Sequence, residues 1–322
     1  MLATAPASPR GAAAGAALRV VVAGACWGLS AIIAKIAFDR GVPPTRMAEA
    51  RVVVALVVLA LILLSARRDL FRPPPGTFPM LASFGLCIAL VNGSYYVAID
   101  RLAVGVAISL QYTAPVLLLV LAALTGIRRN SAQKASRPPG RLAWTAAAVT
   151  LAGAVLVSQA YRGFGRLDGG GLAAAAGSSL FFAGYLLTAE AAGRKGADPA
   201  TVLVWGFMFA ILFWSFAAPW WSWPVGKLAD VHVALAVLGV GIVGTLIPFF
   251  LAVGAVRVLS PAMAGIAATV EPPFAAGFAW IFLGQHLSLV QILGGVLVLA
   301  GVALSQRAPA VSKRTIAIEV AP

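Results

Sequence analysis

Ionisable and amide side chains set inside long apolar runs are the residues of this sequence with chemistry to do. Glu271 is the clearest, thirteen residues into an apolar run over 258–283 and directly before Pro272-Pro273. A charge at the centre of a bilayer costs about 2.5–3.5 kcal/mol on insertion scales, so one retained there has a ligand, a proton or a partner to hold. Two readings stand side by side. Glu271 either binds a substrate amine or carries a coupling proton, or it is a structural acid that caps a helix broken by the prolines. Lys35 shares a helical face with Trp27 and Ala31. It either attracts a carboxylate, as a second coupling candidate, or snorkels to the interface. Asn92, Tyr95 and Tyr96 put an amide and two phenols on one face; Gln111 and Tyr112 precede Pro115; Phe182 and Tyr185 share a face; Trp205 lies early in a later run. With Trp27 and Glu271 these residues form the candidate substrate-binding set, a cavity of aromatic walls and a few amides suited to a planar or amphipathic solute. Taken singly, any of the aromatics also reads as packing or lipid contact.

The elements that would hold these side chains follow from composition. The chain has 322 residues, 61% hydrophobic and 11% charged, with a mean hydropathy of +0.95. A soluble domain is nearer a quarter charged, so this chain needs lipid as its solvent. Crossing the hydrocarbon takes about 20 apolar residues. Ten such runs are legible, at 18–38, 47–65, 78–98, 102–125, 141–160, 170–190, 200–221, 231–253, 258–283 and 287–306. Tails over 1–17 and 307–322 are expected to be disordered, and the first run reads as a retained helix rather than a cleaved leader. Glu49, Arg51 and Glu190 near run ends read as interfacial, Trp220, Trp221 and Trp223 as an interfacial belt, and Trp214 fits either role.

The net charge of +14 suggests nucleic acid, but the basic residues cluster between apolar runs, where they orient helices. With the N-terminus inside, 16 of the 24 lysines and arginines fall in inner segments. Both termini are therefore expected in the cytoplasm. Cys26 and Cys87 read as core residues, and His232 and His286 have no metal-ligand spacing; no cofactor or metal is implied.

The halves repeat in order. Asp39-Arg40-Gly41 with Pro44 matches Arg194-Lys195-Gly196 with Pro199; Tyr95-Tyr96 matches Phe249-Phe250; Pro115 matches Pro272; and Leu-Ala-Gly at 151–153 recurs at 299–301. Each half, 18–160 and 161–306, then holds five helices, and an odd count inverts the second against the first. Inverted repeats place a solute site near the midplane between the halves. Pro115 and Pro272, with Pro248 and Pro261, are kinks, either static or moving. Gly24 and Gly28 on the first helix, and Gly294, Gly295 and Gly301 on the tenth, invite close packing.

Three stretches resemble a known family. CWGLSAIIAK from Cys26, YYVAIDRLAVGVAISLQYTAP from Tyr95 and VEPPFAAGFAWIFLGQHLSLVQILGGVLVLAG from Val270 are similar to the signatures of EamA-type members of the drug/metabolite transporter superfamily. The resemblance implies an all-α integral membrane protein of ten transmembrane helices in two inverted five-helix repeats, exporting small organic metabolites from a bacterial-type inner membrane. Amino acids come first, and the aromatic core leans toward the aromatic amino-acid exporters. Where the family often has an acid after Leu-Gly, this chain has Gln285, and Ile127 stands at the equivalent place in the first half. Other metabolites or cationic drugs are the alternative solutes. A passive channel and a lipid-acting enzyme are the alternative classes, and no clustered carboxylates or histidines speak for the enzyme. No GxxxxGK loop is present to couple transport to ATP.

Overall fold

The computed structural model describes residues 9–129, 139–163 and 168–307. The expected C-terminal tail beyond Arg307, and Lys134, Arg137, Arg166, Lys313 and Arg314 of the charge argument, lie outside these residues. The described residues form thirteen α-helices: α1 Pro9–Phe38, α2 Pro44–Ala66, α3 Phe78–Arg101, α4 Val104–Gln111, α5 Ala114–Arg129, α6 Arg141–Val157, α7 Gly169–Arg194, α8 Pro199–Ala217, α9 Val231–Gly241, α10 Ile247–Ala255, α11 Pro261–Ala268, α12 Glu271–Leu283 and α13 Leu289–Ser305. Consecutive pieces α4–α5, α9–α10 and α11–α12 each make one interrupted span. Among the described residues eight spans are long and apolar enough to cross a membrane, and the shorter apolar α6 and α13 bring the number to ten. One expectation is corrected at the N-terminus. Helix α1 begins at Pro9, so residues 9–17 are helical rather than disordered. The stretch is alanine-rich, and alanine is the strongest helix former.

Proline explains two interruptions. Its ring clashes with the carbonyl four residues back and supplies no N–H. Counting back four from Pro115 gives Gln111, where α4 ends; counting back four from Pro272 gives Ala268, where α11 ends. Both gaps are bridged by the same short turn, Thr113 N–H to Leu110 O at 3.1 Å and Val270 N–H to Ala267 O at 3.5 Å. The third interruption is a π turn over Ile242–Leu246, just ahead of Pro248.

The repeat reaches individual atoms. Gly41 and Gly196 have φ of +83° and +85°, in the left-handed region open to glycine. Each closes its helix with the same bond, Val42 N–H to Ala37 O at 3.0 Å and Ala197 N–H to Ala192 O at 3.1 Å. Proline then opens the next helix in both halves. Helix packing is symmetric too. The first span, α1, packs on α9–α10 and α11–α12, as its counterpart α7 packs on α3 and α4–α5; α2 pairs with α8, and α6 with α13. At the last pair a Cβ on Gly153 would stand 2.7 Å from Gly294 O and Val298 N. One on Gly301 would stand 3.0 Å from Ala146 O and 2.9 Å from Thr150 N, which are the equivalent atoms 148 residues earlier. The halves interlock around a shared centre.

Candidate functional site

At that centre lies a cavity of about 260 Å³. Trp27 and Ala31 of α1, Asn92, Tyr95 and Tyr96 of α3, Gln111 and Tyr112 at the α4 break, Phe182 and Tyr185 of α7, and Glu271 and Pro272 at the start of α12 all line it. The structure thus brings nine of the ten expected binding residues to one space. Their rings touch edge to face in sequence: Tyr112 on Phe182 at 5.9 Å, Phe182 on Tyr185 at 5.1 Å, Tyr185 on Phe249 at 5.6 Å and Phe249 on Trp27 at 5.7 Å. Edge-to-face contacts of this kind stabilise ring pairs beyond their buried area. Tyr95 and Tyr96 sit side by side, 6.0 Å between centroids.

Polar groups punctuate the wall. Tyr112 donates its phenol to Glu271 Oε2 at 2.6 Å, within the charge-assisted range. The buried Ser178 hydroxyl stands 3.1 Å from Gln111 Oε1 and anchors that amide. Asn92 is held by its own helix, Nδ2 to Ile88 O at 2.8 Å. Tyr185 is 2% exposed, and its phenol oxygen has no hydrogen-bond partner among the described residues.

Trp205, Arg51 and Glu49 stand elsewhere than expected, and Lys35 takes the outward of its two readings. Trp205 is not in the cavity. Its indole N–H donates to Phe71 O at 3.0 Å and its ring meets Phe78 at 5.4 Å, because that face of α8 turns to the α2–α3 connection. Lys35 points away as well, bonding Asp39 Oδ1 at 2.7 Å with both side chains half exposed. One turn along the helix, the acid gives the lysine an outward partner. Arg51 is not interfacial. It lines the cavity, and its guanidinium is fixed on three sides: Nε donates to Thr245 Oγ1 at 2.7 Å, Nη1 to Asn92 Oδ1 at 3.4 Å and Nη2 to Gly244 O. Pro248, four residues after Gly244, supplies no N–H to the Gly244 carbonyl, so the arginine takes its place. That proline, facing an arginine within a span, is the signal that would have found the site. Glu49, also expected at the interface, is buried and paired with Arg46 at 3.3 Å.

The ends of the spans are clasped in matching fashion. Trp223 Nε1 donates to Arg46 O at 3.0 Å, and Arg40 pairs with Asp230 at 3.0 Å, tying the α8–α9 connection to the α1–α2 corner. At the opposite face Lys195 Nζ donates to Gly76 O at 2.9 Å and Thr201 to Leu70 O at 2.8 Å, tying the α2–α3 connection to the α7–α8 corner. The backbone N–H of His232, then its ring and the Arg40 guanidinium, hold the Asp230 carboxyl below the usual carboxylate range.

An all-helical bundle of two inverted halves around a polar-spotted central cavity defines an integral-membrane solute carrier. The match to known families agrees. The EamA-like transporter family is matched twice, over residues 15–159 and 169–306, and the chain belongs to that family. It is therefore a multi-pass membrane transporter with a small-molecule substrate, not an enzyme. Among curated proteins, it is 28% identical over 218 residues to the threonine/homoserine exporter RhtA of Salmonella typhimurium (strain LT2), and 27% identical over the same length to that of Escherichia coli K12. The matched stretch spans 66% of this chain and 66% of each exporter. An uncharacterized transporter of Archaeoglobus fulgidus is 29% identical over 74% of this chain and 79% of its own length. A crystal structure at 20% identity covers 91% of this chain and 96% of its own, with a TM-score of 0.71, and shows the same fold.

Proposed function

We propose that this transporter exports amino acids across a bacterial-type inner membrane by alternating access around the central cavity, with both termini in the cytoplasm. One observation carries the reading. A single cavity between the repeats holds a carboxylate, a guanidinium and two amides within a wall of rings. Its volume of about 260 Å³ lies below the roughly 300–1,000 Å³ of pockets for drug-sized ligands, which favours a metabolite over a drug. Arg51 in the wall counts against a purely cationic solute. The similarity to threonine/homoserine exporters supports the same substrate class.

The cavity runs from Glu271 and Tyr112 toward Phe38 at the end of α1, Met47 at the start of α2 and Ile99 near the end of α3. With the N-terminus inside, these are outer ends. The opposite halves of the same bundle are packed solid, with Ala16, Val20, Leu59, Leu63, Leu119 and Val256 buried in one cluster. This arrangement corresponds to the outward-facing state, and export requires its inverse. The breaks at Pro115 and Pro272 are the hinges we assign to that change.

A second reading within the class, aromatic amino acids, is favoured by the ring sequence from Tyr112 to Trp27. Counterflow of radiolabelled amino acids into liposomes carrying the purified protein tests both. Saturable, exchange-stimulated uptake of threonine and homoserine supports the first; preference for phenylalanine, tyrosine or tryptophan supports the second. No uptake of any amino acid by folded protein overturns the proposal. Glu271→Gln that keeps exchange but loses its response to a pH gradient marks a coupling site; wild-type behaviour marks a structural acid.

A further inference from the structure

The cavity's two ionisable groups of opposite type, Arg51 and Glu271, form no ion pair with each other. Arg51 is tied to Thr245, Gly244 and Asn92, and Glu271 to Tyr112. A guanidinium has five N–H donors, and these three contacts, with a fourth to the Tyr96 phenol, still leave a donor over. The carboxylate of Glu271 accepts one bond on Oε2 and has acceptor sites to spare. Both groups therefore face the same small space with capacity left over.

We propose that the cavity binds its solute as a zwitterion of fixed polarity, with the solute carboxylate on Arg51, its ammonium on Glu271 and its side chain against the rings of Trp27, Phe182 and Tyr185. This rests on the amino-acid reading above and specifies it. Charge balance makes the argument. A purely cationic solute would sit against Arg51, and a purely anionic one against Glu271, each with one like charge desolvated beside it. A neutral solute would displace water from both charges and pair neither, which is costly in a low-dielectric site. A zwitterion pairs both. Tethers from neutral groups keep the arginine and the glutamate from neutralising each other, so the site stays open for an occupant of matching charge.

The repeat strengthens the assignment. At the offset of 155 residues defined by Gly41 and Gly196, the counterpart of Arg51 is Gly206; at the offset of 157 defined by Pro115 and Pro272, the counterpart of Glu271 is Ala114. Each half contributes one charge of one sign. A bound zwitterion would bridge the halves, and their relative movement is the transport step in this fold.

Binding is read by tryptophan fluorescence on the purified protein, with three probes: L-threonine, its amino alcohol lacking the carboxylate, and N-acetyl-L-threonine lacking the ammonium. Wild type is expected to bind threonine at least about tenfold more tightly than either analogue. Arg51→Gln should weaken threonine about tenfold while leaving the amino alcohol unchanged, and Glu271→Gln should weaken threonine similarly while sparing the N-acetyl compound. Arg51→Lys keeps the cation and should keep the preference for threonine over its amino alcohol. The three wild-type affinities decide between zwitterion and single-charge binding even if the variants do not fold. Equal wild-type affinity for all three probes, or folded variants that weaken every probe alike, overturns the polarity while leaving amino-acid export intact. Wild type that neither binds nor exchanges any amino acid overturns both.

Discussion

Gly294 and Gly295 are sequence neighbours on α13, yet the structure requires opposite outcomes when each becomes alanine. A Cβ on Gly294 would lie 2.7 Å from Val157 N, 2.8 Å from Gly153 O and 2.8 Å from the Leu156 Cβ, all on α6. Comfortable contacts between such atoms lie near 3.5–4.0 Å, so α6 and α13 must part by about 1 Å. Overpacking of that kind costs about 1–3 kcal/mol. A Cβ on Gly295 meets only Pro273 Cβ at 3.8 Å, an ordinary contact. There the substitution relieves glycine's helix penalty of about 0.8–1.0 kcal/mol. Unfolding in SDS-containing mixed micelles, followed by tryptophan fluorescence, should show Gly294→Ala destabilised and Gly295→Ala unchanged or stabilised. Gly153→Ala should resemble Gly294→Ala, and the double variant should cost less than the two together, since one separation of the helices relieves both clashes. Equal effects at 294 and 295, or strict additivity of 153 with 294, would refute the packing argument.

Thr245→Val removes the acceptor for Arg51 Nε, a bond to a charged group of the kind that contributes about 1.5–3 kcal/mol. The loss should lower stability by about that amount, and the loosened guanidinium should raise the half-saturation concentration in counterflow. Trp205→Phe removes the indole bond to Phe71 O, which should cost stability by about 0.5–1.5 kcal/mol and leave substrate affinity alone. A clear affinity loss would return Trp205 to the site. Lys35→Ala, at an exposed ion pair contributing about 0–1 kcal/mol, should leave exchange and its pH response unchanged. Asp230 is held below the ordinary carboxylate range in the folded state. Its contribution to the clasp on Arg40 is present above the unfolded-state value and lost as pH falls through the depressed one. Protection of the α1–α2 corner against hydrogen exchange, taken relative to the intrinsic rate at each pH, should therefore fall only in acid, and Asp230→Asn should abolish that dependence.

The ten spans were legible because hydropathy and proline act locally. Apolar length gives the spans, and the missing N–H of Pro115 and Pro272 sets the breaks four residues back. Rotational phase was less legible. Trp205 carries the same chemistry as Trp27, but only the packing partner of α8 decides that it faces Phe71 and Phe78 rather than the cavity. Arg51 reads as interfacial from its distance to the start of α2, roughly 10 Å at 1.5 Å per residue. It becomes internal because the cavity extends toward that end and because a carbonyl released by Pro248, nearly two hundred residues away, waits for its guanidinium. A long-range partner of this kind leaves no mark in the periodicity around Arg51 itself.

What repeats and what does not repeat divide along functional lines. The left-handed glycines 41 and 196, the broken spans at Pro115 and Pro272, and the close approach at Gly153 and Gly301 all recur, because backbone geometry must serve both halves of an inverted pair. Arg51 and Glu271 do not recur; Gly206 and Ala114 stand in their places. Repeating either charge would place two like charges around a cavity of about 260 Å³, where their repulsion is weakly screened. An amino acid has a single carboxylate and a single ammonium to offer. On the proposed reading, the symmetric backbone moves the site between two faces while the asymmetric pair of side chains holds one solute in one orientation throughout. Gln111→Glu adds a second carboxylate to the wall at nearly constant shape, and its oxygens can still accept from Ser178. It should weaken threonine relative to the amino alcohol, since the surplus negative charge repels a carboxylate and favours a cation. A purely aromatic, charge-indifferent cavity would leave that ratio where it was.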